Sequence, residues 1–176
     1  MSTVELRVAS HLRTSGRTEY LTPRHIIDAL GPFDLDPCAS SVRPWPTAAK
    51  HYTIDDDGRS QPWEGLVWCN PPFGPAEADF ARLMARHGNG ILLGCPSKTE
   101  TRTWQEVILP NCSGILLLTP RLKFCNVDGT EMPGTFGASC LVAFGHVASG
   151  RLVRALRAGL LRGHIVEVFR GQSTDE

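Results

Sequence analysis

The chain has 176 residues, 41% of them hydrophobic, with 18 basic and 18 acidic side chains and a formal net charge of zero. That length supports one domain with a substantial core and is short for two. Zero net charge excludes a uniformly basic nucleic-acid binder, so any phosphate contacts must come from local clusters.

Taken in chain order, residues 1–176 read as a single domain whose residues 1–19, polar and without strong periodicity, are an N-terminal arm or a loose first helix. Thr22 is a good N-cap and Pro23 suits the first helical position, which predicts a helix to about Leu30 with Ile26, Ile27 and Leu30 on its apolar face. Gly31-Pro32 stops it. Phe33-Asp34-Leu35-Asp36 reads as a short strand running into the small-residue loop Pro37-Cys38-Ala39-Ser40-Ser41. A second short strand is expected at His51–Ile54, then an acidic turn at Asp55-Asp56-Asp57-Gly58. Gly65-Leu66-Val67-Trp68-Cys69 is an apolar run of the kind that buried parallel strands show. Further on, helices are expected over Ala76 to about His87, over Thr101–Leu109 ending before Pro110, and over 149–162. Strands are expected at Gly90–Cys95, Gly114–Leu118, Leu122–Phe124, Ala138–Phe144 and His164–Phe169.

Apolar strands alternating with helices predict an α/β fold with a mostly parallel sheet and an antiparallel edge. Ligands in such sheets bind beyond the carboxyl ends of the strands. The loop at Asp36–Ser41, the turn at Asp55–Asp57 and the segment Asn70-Pro71-Pro72-Phe73 therefore fall on one rim. The six cysteines lack Cys-x-x-Cys spacing and the six histidines lack zinc spacing, so no metal site is expected. The cysteines read as small buried hydrophobes in a reducing compartment. With no signal-peptide pattern and no apolar stretch of spanning length, a cytoplasmic location without membrane contact is expected.

Asn70-Pro71-Pro72-Phe73 is the segment with the most chemical content. An exocyclic amine on adenine or cytosine is a poor nucleophile because its lone pair is delocalised into the ring. Two fixed acceptors, one for each N–H, would pull that nitrogen towards tetrahedral geometry and aim its lone pair at a methyl donor. The Asn70 side-chain oxygen and the Pro71 carbonyl supply such a pair. Pro71 and Pro72 stiffen the turn that presents them, and Phe73 offers a flat face for a base, worth about 1–3 kcal/mol. Asn-Pro-Pro also makes ordinary surface turns, and the preceding apolar run is what favours the chemical reading.

Several segments together carry a family resemblance. Tyr20-Leu21-Thr22-Pro23, Phe33-Asp34-Leu35-Asp36-Pro37-Cys38-Ala39-Ser40, Trp63-Glu64-Gly65, Trp68-Cys69-Asn70-Pro71-Pro72-Phe73, Lys98-Thr99-Glu100-Thr101 with Trp104, and Arg121-Leu122-Lys123-Phe124 resemble, in order and spacing, the phage-type Dam-like DNA N6-adenine methyltransferases. The likeness runs from about residue 18 to 146. It implies a Rossmann-like class I S-adenosylmethionine-dependent fold, with S-adenosylmethionine as cofactor and DNA as partner, in the host-cell cytoplasm if phage-encoded. It makes Asn70, Pro71, Pro72 and Phe73 the catalytic loop. For the cofactor it implies Tyr20, Thr22 and Pro23 near the amino-acid part, Asp36, Pro37, Cys38 and Ala39 along the methionine or ribose end, Asp57 at the ribose hydroxyls, and Asn70 beside the transferred group. Pro37-Cys38-Ala39-Ser40 stands where most methyltransferases of the broad fold carry Gly-x-Gly, and Phe73 replaces the commoner Tyr.

The alternatives are methylation of another planar amine (cytosine N4, RNA adenine or a glutamine side chain) and a non-catalytic cofactor- or DNA-binding partner subunit. The arginines at 151, 154, 157 and 162 read either as a solvated helix face or as a stripe that tracks phosphates.

Overall fold

Seven strands form one sheet in a computed structural model that describes residues 19–72, 74–134 and 137–168. In chain order they are β1 Leu35–Asp36, β2 Lys50–His51, β3 Val67–Cys69, β4 Gly90–Gly94, β5 Gly114–Leu118, β6 Cys140–Phe144 and β7 Gly163–Val166. Their spatial order is β2-β1-β3-β4-β6-β5-β7. The β1–β2, β1–β3 and β3–β4 pairs are parallel, while β4–β6, β5–β6 and β5–β7 are antiparallel. One half of the sheet is thus parallel and the other antiparallel.

Both sheet faces are covered, which is why the central strands read as continuous apolar runs rather than alternating ones. Side chains still divide with period two. Trp68, Ile91, Leu93, Leu116 and Leu141 face helices α1 (Arg24–Leu30) and α4 (His146–Arg157). Val67, Cys69, Leu92 and Val142 face α2 (Pro75–His87) and Trp104. Cys69, Cys112, Cys125 and Cys140 are buried, and Cys38 and Cys95 are partly so. Among the described residues no helix is long and apolar enough to cross a membrane.

Several boundaries differ from the sequence reading. Pro23, not Thr22, is the N-cap of α1, with no side-chain cap; Thr22 is held instead by its neighbour Leu21, which exchanges two 2.9 Å backbone hydrogen bonds with Cys125. The strand expected at His51–Ile54 is confined to Lys50–His51: Tyr52 still donates to the Asp36 carbonyl, but its own carbonyl accepts from Ala39 in the loop after β1, and the chain enters a turn at Ile54. Leu122–Phe124 is not a strand; only Cys125 pairs, in isolated bridges to Leu21 and Glu131.

Pro110 lies inside helical structure rather than after it. Thr103–Ile108 is a π-helix that runs on into α3 (Leu109–Asn111), and the Leu109 N–H reaches back to the Trp104 carbonyl. The widened turn shifts the hydrogen-bond register at the position where proline has no N–H to give. The last helix begins at His146, not 149, and ends at Arg157 before the left-handed Gly159. The strand expected over His164–Phe169 spans Gly163–Val166, and Phe169 lies outside the described residues.

Candidate active site

The chain leaves β1 towards β2 on one side, then returns to β3 on the other side of β1. The loops after β1 and β3 therefore depart in opposite directions and open a crevice, the usual ligand position in open α/β sheets. The segments following Asp36 and Cys69 are the two lips of that crevice. They touch: the Cys38 thiol donates to the Asn70 carbonyl at 3.2 Å and lies 3.6 Å from the Cys69 sulfur.

Asp36 organises the first lip. Its Oδ1 accepts the Cys38 N–H at 3.1 Å and its Oδ2 accepts the Thr47 hydroxyl at 2.5 Å. Thr47 and Ala48 in turn donate their backbone N–H groups to Nε2 of His51, each at 3.2 Å. That ring nitrogen must be unprotonated to accept them, which agrees with a His51 pKa lowered by burial and by the nearby Arg43 charge. Asp36 itself is 4% exposed. Burial pushes its carboxyl up to about 6, against the pull of Thr47, the Cys38 N–H and Arg43. Pro37 and Ala39 are buried in the same loop. A Cβ on Gly58 would lie 1.9 Å from the Pro37 carbonyl oxygen, so the turn after Asp57 backs directly onto this lip. Burial also raises the Cys38 thiol well above its ordinary pKa, reinforced by the Cys69 thiol, so Cys38 acts as a donor and not as a nucleophile.

Asn70 governs the second lip. Its amide nitrogen donates to the Tyr20 carbonyl at 3.2 Å, which fixes the side-chain orientation and assigns the oxygen to the opposite direction. Among the described residues, no hydrogen bond occupies Asn70 Oδ1 or the Pro71 carbonyl. Tyr20 is placed by the Leu21–Cys125 bridge and by its ring, 6.2 Å from that of Phe124. Two residues on from Tyr20, the Thr22 hydroxyl is buried without a partner among the described residues, an arrangement that costs about 1–3 kcal/mol.

A cavity of about 40 Å³ adjoins Asn70 and Pro71, with Glu77, Gly94, Phe124 and Ser139 among its walls. Glu77 sits in the first turn of α2 and binds Lys98 at 2.5 Å.

The structure thus brings together Asn70, Pro71, Tyr20, Thr22 and the Asp36–Ala39 loop. Pro72 is exposed beside Pro71, and Pro23 is buried next to Thr22. Phe73 lies outside the described residues. Asp57, next to the Gly58 that backs onto the Pro37 loop, is exposed, has a φ of 45° and pairs with Arg59 at 2.8 Å, which holds its carboxyl below the usual range. Sequence reasoning missed Thr47 and Glu77 as parts of the site, while His51, which lies near the candidate segments in the sequence, has a structural role in it. Glu77 carried a signal, an acidic residue in the first turn of a helix that opens just after the Asn-Pro-Pro segment. Thr47 carried none, since its role depends on where an irregular loop crosses β1. Among the described residues no group of three or more His, Cys, Asp or Glu is arranged to hold a metal ion.

Compared with known proteins, the chain matches no family model, no curated protein and no solved structure.

Proposed function

We propose that the chain is an S-adenosylmethionine-dependent methyltransferase of Rossmann-like class I fold that methylates the N6 amine of adenine in DNA. The observation that carries this reading is the state of Asn70. Its amide nitrogen is spent on the Tyr20 carbonyl, which leaves its oxygen and the Pro71 carbonyl as paired acceptors at the mouth of a cavity beside a strand-order switch point.

The residues fit the cofactor in one specific respect. Tyr20 joins the Asn70 lip through its carbonyl, which accepts the Asn70 amide N–H, so the Tyr20–Pro23 segment stands where the amino-acid moiety of the cofactor would adjoin the transferred group. Tyr20, Thr22 and Pro23 would hold that moiety, and the Asp36–Ala39 loop the adjoining part. Bound there, S-adenosylmethionine supplies an electrophilic methyl group on a sulfonium centre. The protein's own work is orientation. Asn70 Oδ1 and the Pro71 carbonyl each accept one N–H of the target amine and draw its lone pair out of conjugation. As the amine gains positive charge its N–H groups become stronger donors, so these two fixed dipoles bind the transition state more tightly than the ground state. No general base is required at the outset, because the proton leaves only after the nitrogen has become cationic.

Asn70→Ala removes one acceptor and should lower the turnover number by on the order of 10²–10³ with little change in cofactor affinity. Calorimetry with S-adenosylmethionine, together with nucleoside mass spectrometry of DNA from expressing cells, tests this. Full N6-methyladenine formation by the variant would refute the mechanism, and N4-methylcytosine without N6-methyladenine from the wild type would reassign the acceptor.

A further inference from the structure

The arginines near the C-terminus, which form one set in the sequence, are separated by the fold. Arg151 is spent internally: its guanidinium donates to the carbonyls of Leu30 and Pro32 at 2.8 and 2.9 Å, closing the end of α1. Arg162 goes elsewhere. It lies just before β7, and its carbonyl accepts the Thr119 N–H at 3.0 Å, directly after β5. Because β7 is antiparallel to β5, the start of one meets the carboxyl end of the other. Arg162 therefore arrives on the same rim of the sheet as Asn70. Arg121, two residues past Thr119, shares that rim. Both arginines are exposed, and neither is in an ion pair among the described residues, whereas the neighbouring cation Lys123 is matched by Glu131 at 2.7 Å.

We infer that Arg121 and Arg162 form a phosphate-binding track for a polynucleotide strand whose target base is presented to Asn70 and Pro71. This rests on the proposed function and specifies where its nucleic-acid substrate lies. Along the rim the strands run β3, β4, β6, β5, β7, so the step from the Asn70 lip to Arg162 is four strand spacings, about 19 Å. That is several nucleotides of a strand at about 3.4 Å per residue in a duplex and more when extended. A chain of zero net charge has no diffuse attraction for DNA, so two unmatched guanidinium groups on the rim that carries Asn70 are where phosphate attraction on that rim is concentrated. A polypeptide substrate presenting a glutamine has no repeating anion to use them.

The test is fluorescence anisotropy of labelled single-stranded and duplex oligodeoxynucleotides against salt concentration, for the wild type, Arg121→Gln/Arg162→Gln and Arg82→Gln/Arg86→Gln. The last pair removes the same charge from α2, away from this rim. The rim variant should lower the slope of log affinity against log salt by about 1.4 on single strands or about 1.8 on duplex, with S-adenosylmethionine affinity unchanged as the check on folding. The α2 variant should keep the wild-type slope. Equal slopes for wild type and rim variant, an equal loss in the α2 variant, or no oligonucleotide binding by the wild type would each overturn the inference. Methylation assayed in parallel separates the two claims. DNA methylation with an unaltered slope in the rim variant sinks the track alone. The expected slope change without DNA methylation sinks the enzymatic reading and leaves the track.

Discussion

Asp36 makes the protein less stable as pH rises through the range in which most proteins gain stability. Its carboxyl moves from 3.8 to about 6 because burial outweighs the hydrogen bonds from Thr47 and Cys38. A shift of that size corresponds to about 3 kcal/mol. The sign follows from proton binding. Between the unfolded and folded pKa values the folded state holds this proton and the unfolded state does not, so the contribution is fully present below about pH 4 and is lost as pH climbs through about 6. Asp36→Asn never ionises. Its Oδ1 can still accept the Cys38 N–H, and its amide can donate to the Thr47 hydroxyl. Urea unfolding of both proteins at several values from about pH 4 to pH 7.5 measures the difference. The stability of the variant relative to wild type should rise by about 2.5 kcal/mol across that interval. His51, whose pKa is lowered, acts in the opposite sense, losing stability as pH falls below its ordinary value. It is present in both proteins and cancels, apart from coupling between register partners. A difference that stays flat across the interval, or that falls with pH, refutes the account of Asp36 as a buried charge.

Thr22→Val replaces an unpartnered buried hydroxyl with a methyl group of similar volume. It should stabilise the ligand-free protein by about 1–2 kcal/mol in chemical unfolding; a destabilised variant would show that the hydroxyl already has a partner. Gly58→Ala forces a Cβ to within 1.9 Å of the Pro37 carbonyl. Backbone must move to admit it, so a loss of about 1–3 kcal/mol is expected, with reduced cofactor affinity because the Pro37–Ala39 loop shifts; unchanged unfolding and binding would mean that the turn and the loop do not bear on one another.

The central strands were legible because burial on both faces leaves an unbroken apolar run, and β4, β5 and β6 fall close to where that pattern put them. The Asn70 segment was legible as a turn closing an apolar strand, and β3 does end at Cys69. What escaped was set by tertiary contact. Thr22 looked like a helix cap, since its side chain suits that role, but pairing of Leu21 with Cys125 holds the backbone one residue away from it. Pro110 looked like a terminator because proline breaks an α-helical ladder, and a π-turn absorbed it. The arginine set looked like one helix face because periodicity extends a helix until something stops it. Gly159, at a φ of 69°, ends α4 before Arg162 and lets the chain carry that residue to another edge of the molecule.

The costly features of this fold are unevenly distributed. Thr22 Oγ1 is one of two buried side-chain atoms without a partner among the described residues, and Asp36 is one of two buried polar side chains. Asp36 begins one lip of the crevice and Asn70 the other, and Thr22 follows Tyr20, whose carbonyl accepts from Asn70. Packing alone gives no reason for this concentration: Val at 22 and Asn at 36 would serve a purely structural crevice better. Residues that lower the stability of the free protein persist where something else satisfies them, and a ligand that does so returns stability by mass action, about 2.7 kcal/mol at a hundredfold excess over its dissociation constant. The buried carboxyl of Asp36 and the unused acceptor at Asn70 therefore favour a polar ligand between β1 and β3 on burial and hydrogen bonding alone, without reference to the order of motifs along the chain.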